Sequence, residues 1–329
     1  MRYCLLFCTL CLFTLSACVT AQKKQGPVPV IFDSDIGPDY DDVGAITILH
    51  VMEDKGEAKI LATVASNKYE GIAAVLDLFN TYFGRPEIPI GVPKGEGVSL
   101  TDPQHWTDSL LAKYPHRVKR NADVPDAVKV YRKVLAGQPD HSVTVVTVGF
   151  LTNLAGLLDS KADEFSPLSG KELAARKIKQ LVCMGGRYPS GKEFNIMKDA
   201  ASSQKVFDSW PTPVIFSGFE IGAEIKTGLP LIHNTALSSP AKDAFSICIP
   251  QSPEDSAGRM SWDETTVLVA VRGYAPYYTL QPGKIKVASD GSNTWDKQGQ
   301  GQFYLVKKTA PEKVQEVIND LMMQEPRRK

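Results

Sequence analysis

The sequence predicts an α/β fold in which one domain contains an open, mostly parallel sheet with helices on both faces. Short apolar runs alternate with segments of helical periodicity, without an internal repeat or a linker between two halves. One run, residues 143–148, is β-branched and nearly all apolar, which is typical of a central parallel strand buried on both faces. Several runs end in small or polar residues, as expected where strand ends meet at one edge of a sheet.

The elements follow in order along the chain. Residues 28–32 form an apolar run and are predicted as the first strand, and the Gly37-Pro38 turn separates it from a helix over residues 43–52. Residues 95–123 are polar, show no clean period and are predicted to be a loop or a lid. Further strands are predicted over residues 59–65, 89–92, 143–148, 178–184, 213–216 and 303–306, and further helices over residues 71–83, 127–135, 151–158, 265–272 and about 314–322. The expected sheet is of the Rossmann-like kind.

The composition restricts the class of partner. The chain has 329 residues, 43% of them hydrophobic, so it can bury a core. Its formal net charge is zero. Binding to nucleic acid needs a basic excess, so nucleic acid is not expected as a partner.

The amino terminus has the features of an export signal. One arginine precedes an apolar stretch, residues 4–15, that is too short to span a bilayer. Leu15-Ser16-Ala17-Cys18 resembles the lipobox of bacterial lipoproteins, which would leave a lipid on Cys18. Ordinary cleavage after Ala21 is the alternative. We therefore expect a signal peptide over residues 1–21, a polar tether over 22–27, a catalytic domain over 28–329, and a location outside the cytoplasm, in the periplasm or lipid-anchored to the membrane.

An acidic cluster follows the first predicted strand. Five aspartates lie within residues 33–42, at the edge of the sheet where ligands bind in open α/β folds. Crowded carboxylates raise the pKa values of one another unless a cation neutralises them, and hard divalent cations prefer ligands that are all oxygen. The alternative is a solvated acidic loop with one aspartate as the helix cap, but a cap needs only one carboxylate. The sequence therefore predicts a metal site here.

The motif in this cluster resembles that of a known family. Asp33-Ser34-Asp35-Ile36-Gly37 followed by Asp41-Asp42-Val43-Gly44-Ala45 is similar to the amino-terminal signature of the inosine–uridine-preferring nucleoside hydrolases. This chain has two extra residues between the two halves of the signature, so Asp39 competes with Asp41 for one role. The resemblance implies a calcium-dependent nucleoside N-ribohydrolase with the nucleoside hydrolase fold.

The resemblance also implies a set of metal ligands and a base. Residues 146–153 are similar to the second block of the family, in which a backbone carbonyl binds calcium, and Val148 occupies that position here. Asp263, which precedes a predicted helix, matches the acidic residue that completes the calcium shell. The implied ligands of Ca²⁺ are Asp35, Asp42, the carbonyl of Val148 and Asp263, and Asp35 is the implied catalytic base for the attacking water.

The implied ribose site comes from several segments. Cys183-Met184-Gly185-Gly186 and then Glu193-Phe194-Asn195 are similar to the third block, whose polar residues bind ribose hydroxyls. The loop before Glu193 is shorter than in the family and lacks an asparagine that is often present. The implied ribose ligands are Asp41, Asn67, Glu193, Asn195 and Asp263.

Trp262 stands where many members of the family have a histidine that protonates the leaving base. This departure resembles the purine-specific branch, in which a tryptophan at this place stacks on the base. Core packing is the other interpretation of a tryptophan at a helix start, and the sequence leaves both open. Trp106, in the long polar segment, is a second candidate for stacking.

The predicted function is hydrolysis of the N-glycosidic bond of ribonucleosides, with a preference for purines suspected. The alternative is a non-catalytic lipoprotein that binds nucleosides or sugars, which the missing histidine and asparagine favour. An aspartate-nucleophile phosphatase, suggested by Asp33-Ser34-Asp35, leaves the other blocks without a role. The expected partners are a nucleoside and further copies of the chain in a homo-oligomer.

Overall fold

A ten-stranded sheet runs through the computed structural model, which describes residues 26–327. Seven strands are parallel, in the order β3-β2-β1-β4-β5-β7-β12, and three antiparallel strands extend the sheet in the order β10-β11-β6; β8 and β9 pair separately. The strands are β1 (Val28–Ser34), β2 (Ala58–Ala65), β3 (Ile90–Gly91), β4 (Val143–Thr147), β5 (Ile178–Met184), β6 (Ser190–Lys192), β7 (Val214–Ser217), β8 (Lys226–Thr227), β9 (Arg259–Met260), β10 (Tyr278–Val287), β11 (Ser292–Asp296) and β12 (Gln302–Lys307).

Helices cover both faces of the sheet, and each face has its own apolar core. Successive residues of β1 point to opposite cores, with Val30 and Phe32 in one and Ile31 in the other. The helices are α1 (Asp41–Asp54), α2 (Ile72–Tyr82), α3 (Trp106–Lys113), α4 (Ala127–Ala136), α5 (Thr152–Asp159), α6 (Gly170–Lys177), α7 (Phe194–Lys198), α8 (Ala200–Ser209), α9 (Phe219–Gly222), α10 (Leu229–His233), α11 (Pro240–Cys248), α12 (Trp262–Arg272) and α13 (Pro311–Met322). The predicted fold class is confirmed.

The carboxyl ends of the central parallel strands lie side by side. β1 is paired with β4, and β4 with β5, so the segments that follow them emerge at the same edge. After β1, the chain turns at Gly37, whose φ of +137° is a conformation that favours glycine. Helix α1 then begins at Asp41, two residues earlier than predicted, so that Asp41 and Asp42 occupy its first turn.

Two predictions about elements were wrong. Residues 95–123 contain α3, because Trp106 and Leu110 are spaced one helical turn apart and are both buried. Helix α12 begins at Trp262 rather than at residue 265. The antiparallel extension β10-β11-β6 was not predicted either, since Pro282 and Gly283 interrupt the strand pattern within β10.

The predictions about export concern residues outside the described part of the chain. The signal peptide, Cys18 and most of the tether fall within residues 1–25. None of the helices within residues 26–327 combines the length and apolar character that a bilayer-spanning segment requires.

Candidate active site

A cleft of about 380 Å³ opens at the carboxyl edge of the sheet. It gathers side chains and backbone from α1, α7, β5, β9 and the start of α12, together with the residues that follow β1 and β4. Of the residues predicted for the site, those on its wall are Asp35, Asp41, Asp42, Val148, Glu193, Asn195, Trp262 and Asp263. The wall also contains Asp39, which competes with Asp41 for one predicted role, and residues for which no role was predicted, namely Met184, Phe194, Phe219, Glu254, Arg259 and Met260. None of the five histidines, all within the described residues, lines the cleft.

Three carboxylates converge at one point of the cleft. Asp41, Asp42 and Asp263 each offer an oxygen within 4.8 Å of the other two, and all three are buried. They come from the first turns of α1 and α12, which pack against each other. The close approach depends on Gly44, because a Cβ at this position would lie 2.1 Å from a carboxylate oxygen of Glu264. Asp35 lines the same cleft beside this group of three.

The oxygens of the cluster suit a divalent cation. The Oδ1 of Asp42 accepts a hydrogen bond from the Ser34 hydroxyl at 2.5 Å, while its buried Oδ2 has no partner among the described residues. Burial, and then the neighbouring aspartates, raise the pKa values of Asp35, Asp42 and Asp263 well above their usual range. A bound cation reverses this effect, because it stabilises the ionised carboxylates. The donor set therefore fits a hard metal ion, and the cluster can hold one.

The backbone carbonyl of Val148 also faces the cleft. It accepts a hydrogen bond from the Nδ2 of Asn195 at 3.0 Å. Glu193 caps helix α7, and its carboxylate accepts hydrogen bonds from the backbone N–H groups of Gly186, Asn195 and Ile196 at 3.2, 2.7 and 3.1 Å. These bonds hold Glu193 and Asn195 in fixed orientations on the cleft wall.

Arg259 is the main residue of the site that the sequence analysis did not predict. Its guanidinium donates to Asp39 and to the Oδ1 of Asp41, the latter at 3.0 Å, and lies 3.5 Å from Asp255. Burial acts to lower its pKa, but the charges of Asp39, Asp41 and Asp255 outweigh burial and raise the pKa above its usual range. No local motif in the sequence marks Arg259, since its partners lie more than two hundred residues away or on a separate short turn.

The same guanidinium lies between two aromatic rings. Its central carbon is 4.8 Å from the ring centre of Tyr40 and 5.2 Å from that of Trp262. Trp262 also packs against Phe219, with ring centres 5.2 Å apart, and its indole N–H donates to the carbonyl oxygen of Phe219 at 2.7 Å. Trp262 is therefore held in one orientation on the cleft wall and is not a fully buried core residue.

Comparison with known proteins identifies the relatives of this chain. The family model described as inosine-uridine preferring nucleoside hydrolase matches residues 30–323, almost the whole of the described chain. The chain belongs to this family. Inosine-uridine preferring nucleoside hydrolases from Leishmania major and Crithidia fasciculata are 26% and 25% identical to it, over 65% of this chain and 64% of each of those proteins. The alignments thus span less than two thirds of the length of these curated relatives.

Solved structures support the same fold. A plant nucleoside hydrolase superposes with a TM-score of 0.70 at 19% identity, covering 90% of this chain and 99% of that one. A purine-preferring ribonucleoside hydrolase from Gardnerella vaginalis gives a TM-score of 0.69 at 17% identity, covering 89% of this chain and 98% of that one. Likeness at this level of identity shows that the chain has the nucleoside hydrolase fold.

Two residues expected in the nucleoside hydrolase cleft lie outside its wall. Asn67 is fully buried, and its amide bonds to backbone groups, accepting from Leu100 and Tyr69 and donating to Leu100 and, more weakly, to Asp35. Trp106 is also fully buried, and its indole N–H donates to the carbonyl oxygen of Gly37 at 3.2 Å. Asn67 and Trp106 are therefore absent from the cleft wall and bond to the backbone at Leu100 and Gly37.

Replacing Asn67 with alanine is expected to lower the free energy of unfolding by about 1–3 kcal/mol, because partly buried backbone groups of the loop at Leu100 lose their partners. Urea unfolding measures the loss. If Asn67 only fixes the loop, the KM for nucleosides changes little in the folded variant. A large rise in KM without a loss of stability would contradict this role and would favour direct contact with ribose.

The stability of the metal-free protein is expected to fall as pH rises from about 4 to about 7. Burial raises the pKa of Asp33 from 3.8 to about 7, although Tyr131 and Asn153 donate hydrogen bonds to it. The folded chain then binds more protons than the unfolded chain within this window, so rising pH favours unfolding. The stabilisation is complete below pH 4 and is lost as pH rises through 7, with Asp33 alone contributing about 4 kcal/mol at most.

Urea unfolding in the presence of a chelator, at pH 5, 6, 7 and 8, measures this slope. Asp33→Asn should make it shallower, since one titrating carboxyl is removed. If stability increases with pH across this window, the raised pKa of the buried carboxyl of Asp33 is contradicted.

Proposed function

We propose that the chain hydrolyses the N-glycosidic bond of ribonucleosides to a free base and ribose. The observation that carries this proposal is the convergence of Asp35, Asp41, Asp42 and Asp263 with Glu193 and Asn195 in one cleft of a nucleoside hydrolase fold. The relatives from Leishmania and Crithidia are named for inosine and uridine, which supports nucleosides as the substrate class.

The proposed metal is Ca²⁺. Asp35, Asp42, Asp263 and the carbonyl of Val148 would hold it, because they all present oxygen atoms to the cleft. Asp41, the third member of the close group of carboxylates, is instead paired with Arg259. The unpartnered Oδ2 of Asp42 supports this assignment, since a buried carboxylate oxygen without a donor calls for a cation. A bound divalent cation supplies charge and lowers the pKa of a coordinated water.

The protein's own residues would perform the remaining steps. The carboxylate of Asp35 would accept the proton of the attacking water as general base. Glu193 and Asn195, fixed by their backbone contacts, would orient the ribose hydroxyls. The crowded carboxylates of the cleft would favour the positive charge that develops on the ribosyl group. Asp41 would face ribose with one oxygen already bonded to Arg259.

A preference for purine bases is proposed on the aromatic wall. Trp262 and Phe219 pack together beside the cleft and offer a large apolar surface for a base. No histidine lines the cleft within residues 26–327, so solvent would deliver the proton to the leaving base. Two of the solved relatives are named as a purine-preferring and an inosine-guanosine hydrolase, which supports this preference.

Release of reducing sugar from inosine, guanosine, adenosine, uridine and cytidine tests the proposal. The purified chain should hydrolyse purine nucleosides fastest, lose activity with a chelator and regain it with Ca²⁺. Binding of nucleosides without any turnover in saturating Ca²⁺ would refute the hydrolase and favour the alternative, a non-catalytic lipoprotein that binds nucleosides or sugars. Restoration by Mg²⁺ or Mn²⁺ but not by Ca²⁺ would overturn only the identity of the metal.

Export and lipid attachment are also proposed, on the sequence of residues 1–21. Mass spectrometry of the native protein should find a chain that begins at a lipidated Cys18 or at Gln22. A native chain that retains Met1 would refute export.

Homo-oligomer formation is proposed as well, and the mass of the purified chain in solution decides between a monomer and an oligomer.

A further inference from the structure

Arg259 places a fixed positive charge beside the carboxylates that would hold the metal. Its side chain is 9% exposed, and it shares Asp41 with the group formed by Asp41, Asp42 and Asp263. We infer that Arg259 is a resident counter-cation of this cluster, whose single charge partly offsets those of Asp39 and Asp41 and thereby limits how tightly the cluster binds a divalent cation. The inference rests on the metal binding proposed above.

The two extra residues between the halves of the amino-terminal signature support this role of Arg259. The insertion brings Asp39 next to the cluster, and the side chain of Asp39 is 40% exposed and bonded to Arg259. Asp39 is not a member of the close group of three carboxylates. Asp39 and Arg259 thus form a neutral pair at the rim, so the additional carboxylate adds little attraction for a metal ion.

The contact with Asp41 adds a second effect. The Oδ1 of Asp41 accepts from Arg259, and its Oδ2 lies 3.3 Å from the backbone N–H of Asp263. A cation held by the neighbouring carboxylates of Asp42 and Asp263 would lie close to this guanidinium and would be repelled by its charge. Repulsion between charges that are this close and this buried is screened little by salt.

The surroundings of Arg259 exclude the other common role of a cleft arginine, which is to bind an anion. Asp39, Asp41 and Asp255 surround the guanidinium, and the rings of Tyr40 and Trp262 flank it. An incoming phosphate or carboxylate would have to displace carboxylates that already pair with the guanidinium. The charge of Arg259 is therefore directed toward the protein's own cluster.

Arg259→Gln tests the inference, because glutamine keeps amide donors near Asp41 but carries no charge. Binding of Ca²⁺ is measured by calorimetry and, for variants of low stability, by the rise in melting temperature with Ca²⁺ concentration. We expect the variant to bind Ca²⁺ at least about tenfold more tightly than the wild type. Arg259→Lys, which keeps the charge, should stay close to the wild type.

Arg272 provides the matched control. It lies at the opposite end of α12 and pairs with Glu57, so Arg272→Gln removes the same charge far from the cluster. Its Ca²⁺ affinity should equal that of the wild type. An equal gain in both variants would overturn the inference, because the effect would then come from net charge alone.

The remaining outcomes also decide the question. If the wild type binds Ca²⁺ and Arg259→Gln binds it equally or more weakly, this inference fails while the proposed hydrolase stands. If neither binds, the inference and the proposed metal fail together.

If Arg259→Gln does not fold, the double variant Asp39→Asn/Arg259→Gln decides, since it keeps the net charge. Its affinity should lie within about threefold of the wild type, and a loss of about tenfold or more would make Asp39 a metal ligand and overturn the inference.

Discussion

Replacing Asp35 with alanine is expected to abolish nucleoside hydrolysis, with kcat/KM reduced about 10⁴-fold or more. In the proposed mechanism this one carboxylate is both a ligand of the metal and the base that accepts the proton of the attacking water. Its loss removes both functions together. Ca²⁺ binding should also be lost, and both can be measured on the purified variant.

The fold should survive this substitution. Asp35 is a buried carboxyl whose pKa is raised by burial and by Asp39, so its removal relieves repulsion in the metal-free protein. Circular dichroism and urea unfolding provide this check. Asp243→Ala is the matched control, because Asp243 pairs with Lys113 and Tyr114 away from the cleft and its loss should leave activity unchanged. Near-normal turnover by folded Asp35→Ala would end the proposed mechanism.

Replacing Trp262 with alanine is expected to reduce kcat/KM by about one to two orders of magnitude, since stacking of a base on an aromatic ring is worth ~1–3 kcal/mol. The loss should be larger for inosine than for uridine, because a purine offers more ring to stack. It should be smaller for a nitrophenyl riboside, whose leaving group needs no activation.

The comparison among substrates separates stacking from a structural role. Trp262 also contacts Arg259 and Phe219, so its removal disturbs the cleft wall for every substrate. Trp262→Phe keeps an aromatic face and should retain more activity on inosine than the alanine variant. An equal loss on inosine, uridine and the nitrophenyl riboside would show that Trp262 supports the wall and does not stack on the base.

Much of the site could be predicted because its key residues follow strands of one parallel sheet. Asp35 comes directly after β1, and Val148 follows β4, which is paired with β1. Parallel pairing brings the two segments together whatever their separation along the chain. The first turns of α1 and α12 also meet, because both helices pack on one face of this sheet.

The site residue that was not predicted, Arg259, is one whose side chain bonds across the fold. Arg259 stands on a two-residue strand, and only the packing of α1 against α12 brings it to Asp39 and Asp41. Asn67 follows β2 and therefore resembled a ligand at the sheet edge. Only the fold shows that its amide bonds to the partly buried backbone groups of Leu100.

The sequence by itself determined the α/β class, the edge of the sheet at which the site forms, and the acidic character of that site. These follow from apolar periodicity and from residue types at strand ends, which are local properties of the chain. Only the tertiary structure decided which of the five aspartates form the close group, where Asp39 points, and that a guanidinium lies among them. A side chain's direction and its partner depend on which distant segments pack beside it, and the local pattern of residues carries no record of that packing.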